Sequence, residues 1–494
     1  MDKEAMSCLF VSLVGEPLED TVLVILQQLV TCSKDPSFRN HISKENIQQL
    51  ANLFIQHAET VTEGHDEDEQ RFKSLPSLQP CVECIRIFRN SCAQSAINQD
   101  AILSSGAMQA VLGLLKIFTS CPEADEPALV LLRCSIQLLN NLTVSHEAAQ
   151  MQVWKLLFPS MLQAILRMRD KKASEYSCML MHTCLQNPAC CALFRDSPGS
   201  VCLMNDVLLL CCEENDHDFS LLLVQLTLQL PDIMAQVFEH LDPSCQLTLL
   251  QIAKSCLEAD SEQQLNRDGT RHHFSISDST LICFADSFRS MAHHILALAA
   301  DDPENSKKPQ VICDLLEILC SASAHSTFRH TFNQMEFLLD AGVELLDILE
   351  RVGQTSENAF SSSQEFKEPA SDAEQPSAAH GFKGKLIQLV GNMCFQCRAF
   401  QDRVRELNGI PLILQQCNID TRNPYIREWA VLCIRNLCEN NVENQAVIAS
   451  MENQGVAGNK AISDLGIEAV LREDGKVSVT AVEKKRDPSA GDTS

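Results

Sequence analysis

Apolar residues recur along this chain at the spacing of a helix face. The stretches 22–30 and 221–230 are rich in Leu and Gln and read as helices. Pro231 ends or kinks the second. Nowhere does sustained period-two alternation meet an Asn-Gly turn. The one alternating segment, 476–482, is short and sits beside a charged tail, so no sheet is expected from it. Polar breaks at 60–76, 258–273, 301–309 and 353–380 divide the helical blocks. The first carries the acidic run Asp66 to Glu69. The last is rich in Ser, Glu, Ala and Pro and is expected to be a disordered internal loop. The expected organisation is helical repeats over 1–352 with an acidic loop at 60–76, the loop 353–380, further repeats over 381–455, and a polar, fraying tail over 456–494.

Within the helical blocks one pattern occurs four times: an Asn, a Gln nine residues later, then Val or Ile three residues after that. The copies are Asn90, Gln99, Ile102; Asn141, Gln150, Val153; Asn392, Gln401, Val404; and Asn436, Gln445, Ile448. Two residues before each Asn stand Phe88, Leu139, Val390 and Ile434; five before stand Ile85, Ile136, Ile387 and Val431. Positions three apart share a helix face, so each apolar pair faces a core and the Asn points off it. Ser95, Ser145 and Asn441 are candidate caps for the helix that follows, on which the Gln and the later Val or Ile fall. The last two copies lie 44 residues apart and the first two 51. Armadillo and HEAT repeats run about 40 to 47, so the first pair needs a short insertion, which residues 123–127 supply. A unit of this kind cannot bury its apolar face alone and must stack on neighbours. The expected fold is all-α: an armadillo/HEAT-like right-handed α-solenoid with a disordered internal loop.

Residues 386–394 (LIQLVGNMC) and 431–438 (VLCIRNLC) resemble the third helix of armadillo repeats. Gly381-Phe382-Lys383, LIQLVGN, QDRVRELNGIPLIL (401–414), Asn423-Pro424 and the segment 428–455 together resemble the C-terminal domain of the ataxin-10 family. Residues 81–102 and 134–154 are similar to that family's early repeats. The resemblance is specific over 380–455, good over 80–155 and weak between. It implies a non-catalytic armadillo-type scaffold in cytokinesis, neuronal survival and neurite outgrowth. It implies O-GlcNAc transferase, a heterotrimeric G-protein β subunit and mitotic kinases as partners, and self-association. The implied location is cytoplasmic and perinuclear, with centrosome or basal body and midbody. No family functional residue is carried over.

Composition narrows the partners. Of 494 residues 45% are hydrophobic but only 5% aromatic, which suits an aliphatic helical core. A net charge of −26 argues against nucleic acid or an anionic membrane as the main partner. The 24 cysteines are scattered through apolar runs, as small buried hydrophobes in a reducing compartment. The N-terminal stretch does not read as a signal peptide. The apolar run 221–230 is about half the roughly 20 residues a bilayer requires, so no membrane insertion is expected.

Motifs for chemistry are sparse, and neither an enzyme nor a cofactor is expected. No phosphate-binding loop, serine nucleophile elbow or HExxH occurs. Cys81/Cys84 and Cys394/Cys397 are Cys-x2-Cys pairs 310 residues apart; each lies on or beside a repeat helix and reads as packing ahead of metal binding. His272-His273 and His293-His294 read as surface histidines ahead of ligands, and Trp154 and Trp429 as core ahead of groove anchors. Asn141-Leu142-Thr143 matches a glycosylation sequon but falls within a repeat helix.

The best site candidate is the column Asn90, Asn141, Asn392 and Asn436. An amide both donates and accepts, so such a column can pair with the backbone of an extended peptide. The alternative is that these Asn cap or bridge turns within the solenoid. Nuclear-import receptors place Trp four residues before such an Asn; here Arg86, Gln137, Gln388 and Leu432 stand there. Ser371, beside Asp372, is a candidate for regulatory phosphorylation. The leading reading is a protein-binding scaffold. An exchange factor or regulator of a heterotrimeric G protein, and a cargo adaptor, are the alternatives.

Overall fold

The computed structural model describes residues 3–14, 19–63, 78–120, 125–212, 218–261, 276–299, 307–353, 360, 380–418, 420, 422–451, 467–471 and 477–481. The chain divides into two compact units, Met1–Thr280 and Leu281–Ser494.

The first unit begins with α1 (Lys3–Val14) and α2 (Glu19–Ser33) and then repeats a three-helix theme. The triplets are α3 (Pro36–His41), α4 (Lys44–Glu63), α5 (Leu78–Cys92); α6 (Ala96–Ser104), α7 (Ala107–Ser120), α8 (Glu126–Thr143); α9 (Glu147–Leu157), α10 (Ser160–Arg167), α11 (Lys171–Leu185); and α12 (Pro188–Arg195), α13 (Gly199–Cys212), α14 (Asp218–Gln229). Helices α15 (Ile233–Val237) and α16 (Pro243–Ser261) follow. Two parallel rows result. The inner row packs α2 on α5, α5 on α8, α8 on α11 and α11 on α14. The outer row packs α4, α7, α10, α13 and α16 in the same succession.

The second unit continues the theme with α17 (Asp278–Met291), α18 (Lys307–Ala324), α19 (Arg329–Phe332), α20 (Glu336–Gly353), α21 (Phe382–Cys394), α22 (Arg398–Glu406), α23 (Gly409–Gln415), α24 (Ile426–Cys438) and α25 (Val442–Ala449). Its inner row is α18 on α21 on α24. In each unit the helices thus form a solenoid-type stack.

Local chemistry sets the helix starts. Asp125 accepts from the Ala128 amide with Pro127 in the first turn of α8; Asp170 accepts from Ala173 to start α11; Asn187 accepts from Ala189 with Pro188 at the head of α12. The interior is aliphatic and sulfur-rich, with Ile85, Phe88, Leu114, Leu138 and Leu386 fully buried. Burying one such side chain is worth about 1.5–3 kcal/mol.

Two sequence expectations change. Segment 476–482 is not isolated: β2 (Val477–Ala481) pairs antiparallel with β1 (Ile467–Leu471). The first strand carries no clean alternation, but the Asp474-Gly475 dipeptide between two apolar runs is a hairpin signal that finds it. Ser145 is not a cap either, since its φ is 55° and His146 takes that role, accepting from Ala149. Most of the loop 353–380, including Ser371, and the acidic run 66–69 lie outside the described residues, as do His272 and His273.

Candidate functional site

The four signature copies build one turn four times over. In each, the inner helix ends two residues after the Asn, at Cys92, Thr143, Cys394 and Cys438, and the next short helix starts six after it. Between them, four after the Asn, the backbone is left-handed: Gln94 at φ 58°, Ser145 at 55°, Gln396 at 55° and Asn440 at 56°. One left-handed residue reverses the chain here without glycine, at a cost of about 1–2 kcal/mol that the packed surroundings must offset. Of the expected caps, Asn441 accepts from the Asn444 amide, while Ser95 occupies the cap position of α6 with no side-chain bond.

A helix that stops leaves its last carbonyls without intrahelical donors. The signature amides supply them, and they do so across repeats. Asn141 donates to the Arg89 carbonyl at 2.8 Å, and Asn436 to the Gly391 carbonyl at 2.9 Å. Both acceptors sit one residue before the preceding signature Asn. Asn392 donates to the Cys320 carbonyl at 3.3 Å and to Ser323 Oγ at 3.0 Å, and Asn90 donates to Ser33 Oγ at 2.9 Å. The Gln reaches the other way. Gln99 donates to the carbonyl of Asn141 at 2.8 Å, and Gln401 to that of Asn436 at 2.9 Å. Gln150 donates to the Thr143 carbonyl at 3.0 Å and accepts from Asn187 of the next repeat at 3.2 Å. Each Asn therefore reaches back to the preceding inner helix, and Gln99 and Gln401 reach forward to the next. The amide nitrogens of the candidate column are donors within the fold. Asn90, Asn141 and Asn392 are half-buried and Asn436 is buried. The buried Gln was not recognised from sequence as a core group; its spacing from the Asn was the signal.

Polar side chains stand beside the column on the inner row. Arg86 pairs with Glu83 at 3.1 Å, and Arg89 donates to Asn90 Oδ1 at 3.2 Å and also to Gln137. Arg133 clasps Asp170 with two bonds of 3.0 and 2.6 Å, tying α8 to the head of α11. Burial opposes charge on Asp170, but bonds from Arg133 and the Ala173 amide prevail and hold its carboxyl below the ordinary value. In the second unit Lys383 donates to Glu350 at 2.8 Å and Gln416 donates to the same oxygen at 3.0 Å. Burial again opposes the charge, and these two donors lower the Glu350 pKa.

The thiols of Cys81, Cys84, Cys92 and Cys394 pack as neutral groups. Burial pushes Cys81 and Cys92 up to about 12, and Cys84 and Cys394 well above the ordinary range. Among the described residues no three His, Cys, Asp or Glu converge to hold a metal ion. Trp154 is buried and stacks on Phe158 at 4.7 Å. The rings of His293 and His294, in the 3-10 segment Ala292–Ala299, approach to 4.0 Å. Among the described residues no single helix is long and apolar enough to cross a membrane.

Comparison with known proteins places this architecture. Residues 382–480 match the model of the spinocerebellar ataxia type 10 protein domain. Over 410 residues the chain is 32% identical to ataxin-10 of Xenopus tropicalis, covering 82% of this chain and 81% of the relative. The chain belongs to the ataxin-10 family. Ataxin-10 of Homo sapiens is 27% identical over 457 residues, 92% of this chain and 93% of the relative. The ataxin-10 homolog of Dictyostelium discoideum is 50% identical over 105 residues, 21% of this chain and 17% of that protein. The family model therefore covers α21 through β2, the region in which the Asn–Gln ties between α21 and α24 lie.

Proposed function

We propose that this ataxin-10 family chain is a non-catalytic protein-interaction scaffold whose inner helix row is the binding face. The observation that carries the reading is the set of cross-repeat amide bonds. With the bond that Asn140 of α8 donates to the Tyr176 carbonyl of α11 at 2.9 Å, they fix the spacing of α5, α8 and α11, so Arg86, Gln137 and the half-exposed Met179 and His182 stand at set intervals along the inner row. A surface that is ordered before binding loses less entropy when it meets an extended polypeptide. In this reading the Asn column sets the geometry, and the side chains four residues before it meet the partner.

The cellular setting we propose is the one family membership implies: cytokinesis, neuronal survival and neurite outgrowth, at cytoplasmic, centrosomal and midbody locations. O-GlcNAc transferase, a G-protein β subunit and mitotic kinases are the candidate partners, with a second copy of the chain. The test is binding of each purified candidate to the full chain and to Arg86→Ala/Gln137→Ala. The expected result is at least tenfold weaker binding of one candidate with an unchanged melting temperature, about 1.4 kcal/mol of binding free energy. Equal binding of every candidate by both chains overturns the assignment of this face.

A further inference from the structure

Helix α20 carries acids at the spacing of one helix face: Glu336, Asp340 and Glu344 four residues apart, and Asp347 three further on. The first half of this ladder is occupied from within. Arg403 of α22 clasps Asp340 with two bonds of 2.9 and 2.8 Å and reaches Glu336 at 3.7 Å. The second half has no such guest. One turn beyond Arg403 stands Leu407, and α22 has already ended at Glu406, so that helix supplies no second arginine there. Asp347 pairs with Arg351 of its own helix. Glu344 is exposed and, among the described residues, takes part in no ion pair.

A cavity of about 380 Å³ opens at this point, within the size range of ligand sites. Its cause is local. The chain leaves α22 through Asn408, left-handed at φ 56°, and Gly409 brings the head of α23 against α20: a Cβ there would stand 3.3 Å from Val343 Cγ1. Helix α23 then runs for seven residues against the eighteen of α20, too few to cover α20 along its length. Leu407, Pro411 and Leu412 give the cavity an apolar lining that is buried or half-buried. Glu344, Asp347 and Asn408 line it too and are exposed or half-exposed, so the polar groups stand on its open side.

This lining selects its occupant. Two carboxylates repel phosphate and other anions, and a purely apolar guest would strip water from them without replacing its bonds. A long cationic side chain satisfies both halves, its methylenes on the leucines and its head on the carboxylates. Arginine suits the site better than lysine, because its planar fork takes two carboxylate oxygens at once, as Arg403 does at Asp340 one turn away.

We propose that this cavity docks an arginine side chain presented by a partner protein, which completes the acidic ladder at Glu344. Arginine seated in a pocket is a frequent anchor of protein interfaces. The net charge of −26 adds a field that draws a basic segment toward the chain. Helices α20 and α23 lie off the inner row, so this assignment is independent of the binding face proposed above.

Selection of short random peptides displayed on phage, with the full chain as bait, tests it. The strongest binder is then synthesised as selected, with lysine for its arginine, and with citrulline, which keeps the shape and lacks the charge. The expected result is an arginine shared by the selected peptides and binding at least tenfold weaker for the citrulline form. Glu344→Gln/Asp347→Asn should weaken the arginine peptide as much, with an unchanged melting temperature. That variant moves the net charge only from −26 to −24, so a general attraction of basic peptides would barely change. Equal binding by the variant and the unaltered chain overturns the site, as does selection of peptides without arginine. Loss of binding in Arg86→Ala/Gln137→Ala instead assigns the peptide to the inner row and also overturns it. Two further outcomes replace the partner by the chain itself: tenfold tighter peptide binding by a chain ending at Glu483, which lacks the basic run Lys484-Lys485-Arg486, or a self-associated full chain that Glu344→Gln/Asp347→Asn converts to monomer in sedimentation.

Discussion

Helices α21–α22 and α24–α25 carry the same signature 44 residues apart and live in different surroundings. The inner copy has a repeat on either side; the outer copy is followed by no further helix among the described residues. Position by position the chemistry is alike and the burial is not. Ile387 is buried and Val431 exposed, Gln401 buried and Gln445 exposed, Lys383 buried and Arg427 exposed. The helix-forming pattern is therefore intrinsic to the repeat, while its energetic worth comes from the neighbour.

The largest expected effect breaks the apolar half of that comparison. Ile387→Ala leaves a cavity in a packed interface and should lower stability by about 3 kcal/mol. Val431→Ala removes one partly covered methyl pair and should lower it by at most about 1 kcal/mol. Guanidinium unfolding of both variants measures the difference, and equal losses would show that the two copies are equally packed.

The amide half comes next. Gln401 donates to the Cys394 and Asn436 carbonyls and accepts from Asn441, all buried bonds. Gln401→Ala strands these groups and should remove about 2 kcal/mol. Gln445 donates to the Cys438 carbonyl in its own repeat at 2.8 Å, on an exposed surface. Gln445→Ala should remove about 0.5 kcal/mol, because water replaces the lost donor. The same unfolding measurement decides, and equal losses would break the distinction between a buried tie and an exposed one.

Much of this was legible in the sequence because the repeat carries its own register. The apolar positions two and five before each Asn mark the core in the inner copies, and the start of the following helix is fixed by a constant count from the same Asn. The resemblance of 381–455 to the ataxin-10 family was legible for the same reason. What was not legible is direction. An amide at a helix end reads equally as a peptide-binding group or as a donor to the neighbouring helix, and only the position of that helix separates them. Ser145 shows the limit at one residue: Ser is a good cap by type, but the left-handed turn falls on it and moves the cap to His146. The hairpin escaped because Ile467–Leu471 lacks clean alternation, so its partner strand read as a solitary run.

The smallest expected effect concerns charge and sharpens the comparison at one further position. Nine residues before the signature Asn, the inner copy has Lys383, buried against Glu350, and the outer copy has Arg427, exposed. The Lys383 and Gln416 donors lower the folded-state pKa of Glu350 despite its burial. A carboxyl with a lowered folded pKa adds stability at pH values above its unfolded pKa, near 4.3, and that stability is lost as pH falls through the folded pKa. Glu350→Gln should therefore weaken the protein by about 1 kcal/mol at pH 7 and flatten the stability curve below about pH 4.5. Arg427→Gln should change neither, because an exposed charge is screened by solvent and salt. Unfolding midpoints from pH 3 to 7 for the three proteins measure the slopes; a slope in Glu350→Gln as steep as in the unaltered chain would assign the acid sensitivity to other carboxylates.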